Sequence, residues 1–583
     1  MDEEIRKLAR KYAIKNAVDY GGKANAASVL SKVLSKLGRQ ADINIKELRS
    51  AVDEIVSEVN ALSKDAQSAE YASYSSEFEH EYIEKVKSTS LPRMELPGAE
   101  YGNFSTRFAP EPSGYLHIGH AKVVFMEQEF AKIYNGKIFL YFDDTNPEKE
   151  SQEFVDSIKY DLEWLGVKFD DEYYASDSIE KLYDYARQLI QKGRAYVCTC
   201  PPETIKSYRQ KGMECPHTRN PESENLMMFD EMLNGEYEEG GAILRFRGDM
   251  KSENTTMRDP TIMRIKKHPH YRQGSKYMVW PTYDFNTPVM DSIHGVTDAM
   301  RSKEYELRAE IYKEILKALG LRVPRMHHEA RLEVKGSITS KRKLNELISK
   351  GLISGYDDPR LITLSALRRR GIRPEAIKKF VLRFGMSMTN SVVDLSLLYS
   401  ENKKIVDPVA KRLFYVDNPV KVVVEGGEEL PKSVSLKLHP NQDLGTRQYT
   451  LSNVFYISGS DAEQIDMGSK VRLKDLADLE IISVSKEAVH AHTRNFDDKD
   501  LKDVRKVQWV PEGSFLRCKV LIPKEMVDEA GNFIPDSLQT STGYVESYAS
   551  TLKKGDVVQF ERFGFVVFDG DEGEAKRFIF ISK

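Results

Sequence analysis

The chain has 583 residues, of which 40% are hydrophobic and 30% charged, with a formal net charge of -4. At roughly 150 residues per domain this predicts about four domains, each able to bury a core, which excludes a minimal binding module. The composition also excludes a wholly disordered chain, and no apolar run approaches the roughly 20 residues of a membrane-spanning helix, whereas a near-zero charge neither supports nor excludes a nucleic-acid partner.

Charges occupy Met1 to Tyr12 where a signal peptide would carry its apolar stretch, so a cytoplasmic protein with no membrane association is expected. From Glu3 to about Asn60 apolar residues recur every three or four positions, as in Val29, Leu30, Val33 and Leu37 and in Leu48, Val52, Ile55, Val56 and Val59, which predicts helices broken at Tyr20-Gly21-Gly22. Residues 1–49 hold 11 Lys/Arg against 6 Asp/Glu, and residues 50–95 hold 4 against 10. Such a face is either an RNA-contacting lobe or a solvated helical surface. Ser88 to Pro92 and Leu96-Pro97-Gly98 mark a linker.

The pattern then changes to strands at 104–108 and 137–142, each followed by a helix, at 118–134 and 150–165. Strand-helix-strand units of this length predict a parallel, Rossmann-type sheet. Residues 198–275 interrupt it, with a strand near 242–246, before a helix at 304–319. After about Val406 the chain is β-like, with apolar segments at 420–424, 449–457, 516–522 and 557–568 between Gly, Pro and Asp turns.

The densest chemistry lies in Arg107-Phe108-Ala109-Pro110-Glu111-Pro112-Ser113-Gly114-Tyr115-Leu116-His117-Ile118-Gly119-His120. A strand ends, Pro and Gly shape a turn, and two histidines three apart fall in the first turn of a helix, whose unpaired N–H groups favour phosphate. Gly119 is expected to let a nucleotide approach the backbone. Later, Ser337-Ile338-Thr339-Ser340-Lys341-Arg342-Lys343 offers a loop suited to neutralising a triphosphate. Cys198-Thr199-Cys200 and Cys215-Pro216-His217 offer three thiolates and an imidazole, a set that closes a tetrahedral structural zinc site.

In this order, the two nucleotide motifs resemble the HIGH and KMSKS signatures of class I aminoacyl-tRNA synthetases, with the second degenerate around its retained Ser340-Lys341 core. Together with Tyr141-Phe142-Asp143-Asp144-Thr145-Asn146-Pro147, Tyr283-Asp284-Phe285 and Gly295-Val296-Thr297-Asp298, they resemble the glutamyl/glutaminyl-tRNA synthetase group in its archaeal and eukaryotic branch. The resemblance implies a multidomain α/β fold. Its parts are a helical N-terminal domain (1–95), a Rossmann catalytic domain (100–345) with an acceptor-binding zinc insertion at about 198–275, a helical connecting domain (346–405), and a β-barrel anticodon-binding region (406–583).

The same resemblance implies the site. His117, His120 and Lys341 would stabilise charge on the phosphates; Gly119, Ser340, Arg331 and Leu332 would hold ATP, brought as its Mg²⁺ complex. Arg107, Asp143, Tyr283 and Arg301 would hold the amino acid, Asp143 taking its α-ammonium, and Glu111 would meet the 3′ end of the tRNA. Arg301 stands where glutamyl enzymes carry arginine and glutaminyl enzymes a small neutral residue. Because a side-chain carboxylate needs a cation that an amide would leave unpaired, Arg301 points to L-glutamate as substrate. Activation of glutamate by ATP and transfer to tRNA(Glu) is the implied function, with tRNA(Gln) an open second acceptor; a glutaminyl enzyme and a catalytically silent RNA-binding relative are the alternatives. Arg447, Tyr449, Arg494, Trp509, Arg517 and Arg562 are available in the C-terminal half for stacking and phosphate contacts, but most are expected to be ordinary barrel residues and none is assigned to base reading.

Overall fold

The structure, a computed structural model, describes residues 3–19, 22–37, 45–74, 94–426, 429–485, 487–495 and 504–583. The expected linker Ser88 to Pro92, and Tyr20-Gly21 of the expected helix break, lie outside the described residues. The chain forms two compact units, 1–91 and 92–583.

The first unit is helical, over Glu3–Asp19, Ala26–Leu37, Ile45–Ala61 and Lys64–Ser73. Its core takes the predicted apolar positions Val29, Val33, Val52, Ile55 and Val59. Arg6 pairs with Glu54 at 2.9 Å, and Arg10 with Glu58 at 3.0 Å and Glu70 at 2.7 Å. The basic first helix therefore spends its arginines on the acids of the third and fourth.

In the second unit, β1 (Ser105–Phe108), β2 (Lys137–Phe142) and β3 (Asp171–Tyr174) form a parallel sheet in that order. Every residue of β1 and all but the first of β2 are buried, as expected of parallel strands covered on both faces. The chain leaves this sheet for an antiparallel one of β4 (Ala195–Cys198), β5 (Ile243–Phe246), β6 (Thr261–Ile265) and β7 (Val279–Pro281). It returns as the parallel pair β8 (Asp298–Ser302) and β9 (Arg325–Glu329), which the Thr297 amide joins to β1 through the Ser105 carbonyl at 3.0 Å. The core is thus a parallel sheet split by an insertion. The strand β10 (Leu332–Val334) follows, ahead of the helix Lys341–Ser349.

The expected helix 304–319 begins later than predicted, with 3₁₀ geometry over Lys303–Arg308 and α-helix over Ala309–Leu319. The Leu307 carbonyl is taken by Asn254 Nδ2 (2.8 Å) and Thr256 Oγ1 (2.9 Å) from the insertion, which ties down the first turn.

Beyond helices at Leu364–Arg369, Pro374–Leu382 and Ser396–Val406, the chain forms two seven-stranded sheets among the described residues. It starts the first sheet at Lys411–Asp417, builds the second from Val420 to Pro511, and returns to finish the first. The apolar run 557–568 is a hairpin and not one strand, because Arg562 turns the chain at φ 63° while its guanidinium grips Asp461 at 2.7 and 2.9 Å. Likewise 449–457 divides into Thr446–Thr450 and Val454–Ile457, which pair with different partners.

Candidate active site

The first motif folds as its residue types require. Strand β1 leads through the turn to His117, the N-cap of the helix Ile118–Ile133, whose Nδ1 accepts the Gly119 amide at 3.0 Å. His120 Nδ1 accepts the His117 amide at 3.1 Å, a reciprocal cap built from two imidazoles whose rings lie 3.9 Å apart. With both Nδ1 atoms accepting, each ring carries its proton on Nε2, free to donate. Burial, reinforced by the cationic Arg331, lowers His117 to about 4; burial, then His117, then Arg331 hold His120 well below the usual histidine range. Both are neutral donors at physiological pH and not cations.

Gly119 has a nearer reason than nucleotide approach, since a Cβ there would meet the His117 ring at 2.8 Å. The second motif crosses the first: Lys341 opens the helix Lys341–Ser349, its ammonium reaches the Ser113 carbonyl, and it lies 4.9 Å over the Phe154 ring. A cavity of about 240 Å³ is lined jointly by Glu111, His117, His120 and Lys341. A second, of about 750 Å³, is lined by His117, Gly119, His120, Arg331, Leu332 and Ser340. The residues expected to hold ATP and its phosphates therefore come together, although Arg331 is itself paired with Glu304.

A third cavity, of about 600 Å³, is lined by Glu111, Asp143 and Tyr283. Asp143 sits just past the carboxyl end of β2, where ligands of parallel sheets gather, and accepts Asn286 Nδ2 at 2.7 Å and Thr145 Oγ1 at 3.3 Å. Burial first, and then the negative charge of Glu111, push its carboxyl up to about 6. Tyr283 opens the helix Tyr283–Ile293 and packs 4.7 Å from Tyr305.

The two arginines of the expected pocket differ. Arg107 is already neutralised: its Nε and Nη2 hold both oxygens of Asp291 at 2.6 and 3.2 Å, and Nη1 donates to the Met300 carbonyl at 3.1 Å. A direct hold on substrate by its full charge is thereby removed. Arg301, on β8, is 5% exposed, with its guanidinium 5.1 Å over Tyr283 and 4.5 Å over Tyr312. Its Nε is buried without a partner, and among the described residues no carboxylate pairs with it.

Sequence reading missed Asn286 and Asp291, which fix Asp143 and Arg107. Both lie on the helix Tyr283–Ile293 and are 0% and 2% exposed. The available signal was two polar residues at positions where that helix turns its apolar side inward.

In the insertion, Cys198 ends β4, and Cys200, Cys215 and His217 complete a group whose four ligand atoms all lie within 4.8 Å of one another. Cys215 Sγ is 3.6 Å from Cys198 Sγ and 3.7 Å from Cys200 Sγ, and His217 Nδ1 is 3.3 and 3.5 Å from Cys215 and Cys200. Four ligands at about 2.3 Å from a tetrahedral ion stand about 3.8 Å apart, so the donors fit zinc in kind and in spacing. Thr199 Oγ1 meets the outer nitrogen of His217 at 3.0 Å, orienting the ring.

In the C-terminal half three of the six available residues are core. Arg447 pairs with Glu546 at 2.8 Å, Tyr449 is buried beside them, and the buried Trp509 donates to the Lys474 carbonyl.

A parallel sheet with paired histidines at the first helix N-terminus, facing a Ser-Lys loop across a cavity, defines a class I aminoacyl-tRNA synthetase catalytic domain. The family model for the catalytic domain of class I tRNA synthetases (E and Q) matches residues 103–406, and two anti-codon binding domain models of that family match 410–496 and 506–569. The chain belongs to this glutamyl and glutaminyl family. It is 41% identical over 568 residues to the glutamate–tRNA ligase of Nitrosopumilus maritimus (strain SCM1), covering 97% of this chain and 98% of that one. It is 40% identical to that of Pyrococcus abyssi (strain GE5 / Orsay), over 98% of each chain, and 39% identical to that of Thermococcus kodakarensis (strain ATCC BAA-918 / JCM 12380 / KOD1), over the full length of both. No helix among the described residues is long and apolar enough to cross a membrane.

Proposed function

We propose that this enzyme is a cytoplasmic glutamate–tRNA ligase, which joins L-glutamate to the 3′ end of tRNA(Glu) at the expense of ATP. The observation that carries glutamate over glutamine is the charge on Arg301. Arg107 is paired with Asp291, whereas Arg301 is buried with no carboxylate partner among the described residues, so its charge is open to a side-chain carboxylate. A glutamine amide would leave that cation unpaired in a dry site.

The α-carboxylate oxygen attacks the ATP α-phosphorus in line and pyrophosphate leaves. His117 and His120 donate Nε2–H to phosphate oxygens and Lys341 adds positive charge, while Gly119, Ser340, Arg331 and Leu332 enclose the nucleotide, supplied as its Mg²⁺ complex. A ribose hydroxyl of the tRNA then attacks the adenylate carbonyl and AMP leaves. Glu111 lines both the cavity of the two histidines and that of Asp143, which suits it to the arriving ribose. The work is positioning and electrostatics, with no nucleophilic side chain. Cys198, Cys200, Cys215 and His217 hold a structural zinc, which supplies a fixed crosslink and no reaction step. The domain division is that of 1–95, 100–345, 346–405 and 406–583.

Aminoacylation of purified tRNA(Glu) and tRNA(Gln) with labelled glutamate, and separately with glutamine, tests this reading. Glutamate will be transferred to tRNA(Glu) and glutamine to neither; preference for glutamine would overturn the assignment, and the tRNA(Gln) arm decides the second acceptor.

The pH dependence follows from Asp143, whose carboxylate must be ionised to hold the α-ammonium. With its carboxyl at about 6, the glutamate KM will be flat above about pH 7 and rise roughly tenfold per unit below about pH 6. His117, at about 4, stays neutral through this window, so kcat will not follow. A glutamate KM unchanged from pH 7.5 to 5 would remove Asp143 from the ammonium site.

A further inference from the structure

The connection between β6 and β7 leaves the insertion sheet and lands on the loop that carries Asp143. An isolated bridge between His270 and Gly274 closes it into a tight turn, in which His270 Nδ1 accepts the amides of Arg272 (3.2 Å) and Gln273 (3.1 Å). The ring proton therefore sits on Nε2. The imidazole is wholly buried and stacked 4.8 Å from Trp280, and Nε2 points at Glu150 Oε2 (3.5 Å) and Asp144 Oδ2 (3.8 Å). The next residue, Tyr271, donates its hydroxyl to Asp144 Oδ2 at 3.0 Å. Arg272 then forks onto Asp177 at 3.0 and 2.7 Å and lies 4.1 Å over Tyr174.

The far side of these contacts is the amino-acid site. Asp144 follows Asp143 in the chain, and its carboxylate is fully buried, held otherwise by the Ser176 amide (2.8 Å) and hydroxyl (2.7 Å). Glu150 closes the same loop by accepting the Asn146 amide at 2.8 Å. Asp143, Asn146 and Glu150 line the 600 Å³ cavity. Asp143, Asp144 and Glu150, the three acids of this short loop that are not exposed, repel one another and resist burial, so donors must hold them. On the buried side Asp144 takes two donors from Ser176 and a third, the Tyr271 hydroxyl, from the insertion.

We infer that Tyr271 is a positioning residue for the α-ammonium site: its hydroxyl clamps Asp144, and through it the backbone of Asp143, to the insertion sheet, with the turn at His270 holding Tyr271 in place. The clamp rests on the reading of Asp143 given above. It makes glutamate affinity depend on how the insertion is seated, although Tyr271 does not touch substrate. Removing the Tyr271 hydroxyl leaves a buried carboxylate one donor short, and the loop shifts to find another.

Tyr271→Phe keeps the ring and deletes only that bond. The glutamate KM will rise about five- to tenfold, with ATP KM and kcat unchanged and the melting temperature lowered by no more than a few degrees; Arg272→Gln, which opens the outer contact, will shift KM in the same direction by less. Amide hydrogen exchange over residues 143–151, read without substrate, will speed up in Tyr271→Phe. A lower melting temperature with unchanged glutamate KM would make the contact merely structural, and unchanged exchange would overturn the clamp whatever amino acid the enzyme uses. Failure of the wild-type enzyme to charge glutamate would instead defeat the functional reading, while the exchange result still decides the clamp.

Discussion

Replacing Arg301 with alanine will raise the glutamate KM by at least a hundredfold, leave ATP binding at wild-type affinity, and shift the melting temperature by no more than a few degrees. The guanidinium is 5% exposed and lies against the rings of Tyr283 and Tyr312, with its Nε unpartnered. Aromatic faces offset only part of the cost of burying a cation, about 2 kcal/mol at best. On the proposed reading, the folded enzyme holds a charge that the substrate carboxylate completes. Breaking such a buried pair costs about 3–5 kcal/mol, and each 1.4 kcal/mol is tenfold in affinity, which gives roughly a hundred- to a few-thousandfold.

The change in stability stays small because two effects cancel in part. Losing packing between two tyrosines destabilises, and losing an uncompensated buried charge stabilises, so the two oppose. Arg301→Gln, which keeps most of the stem, will lose glutamate as severely with a smaller change in melting temperature. Unaltered glutamate kinetics in either variant would place Arg301 outside the pocket, and loss of ATP binding would make it a residue of the fold.

What could be read from the residues alone divides by the range of the interaction. The turn from Arg107 to His120 was legible because a strand end, Pro and Gly, and a helix N-terminus are local features. The clustering of Cys198, Cys200, Cys215 and His217 was legible because they lie in two short segments. Illegible was the fate of Arg107, whose partner Asp291 stands 184 residues away and is brought close only when the split sheet closes. Arg447 could not be assigned for the same reason, since which arginines of the β-rich region are structural shows only once Glu546, 99 residues on, is found buried against it. The turn at Arg562 carried no glycine or asparagine signal at its own position. Only the grip of Asp461 on the guanidinium reveals why a non-glycine residue accepts a positive φ there. The neutrality of His117 and His120 was equally hidden, because the spacing gives the cap but burial decides the charge.

Removing the metal from the insertion will have the second large effect. Purified enzyme will contain one zinc per chain, and chelation or Cys215→Ser will lower the melting temperature by about 10 °C and abolish charging of tRNA while ATP still binds. The four donors bracket the helix Pro202–Lys211, with Cys198 and Cys200 before it and Cys215 and His217 after it. That helix buries none of its residues, and the small cluster beneath it consists of Tyr196, Cys198 and Cys215 with partly covered Ile205 and Tyr208. Hydrophobic burial is therefore small, and beyond the bonds of Arg209 to the Thr255 carbonyl (2.9 Å) and of Arg258 to the Arg209 carbonyl (2.8 Å) a crosslink across its two ends would hold it. Structural zinc contributes about 10–16 kcal/mol of apparent binding energy in small domains, and a quarter of that appearing as stability accounts for the expected fall. The helix carries Lys206 and Arg209 to the wall of a cavity of about 490 Å³, and Arg209 also lines the cavity of Asp143. Freed of the metal it will show fast amide exchange over 199–219, and Lys206 and Arg209 will lose their fixed places. Enzyme that contains no zinc, with stability and charging indifferent to chelator, would reduce the four residues to ordinary partly buried thiols and a histidine.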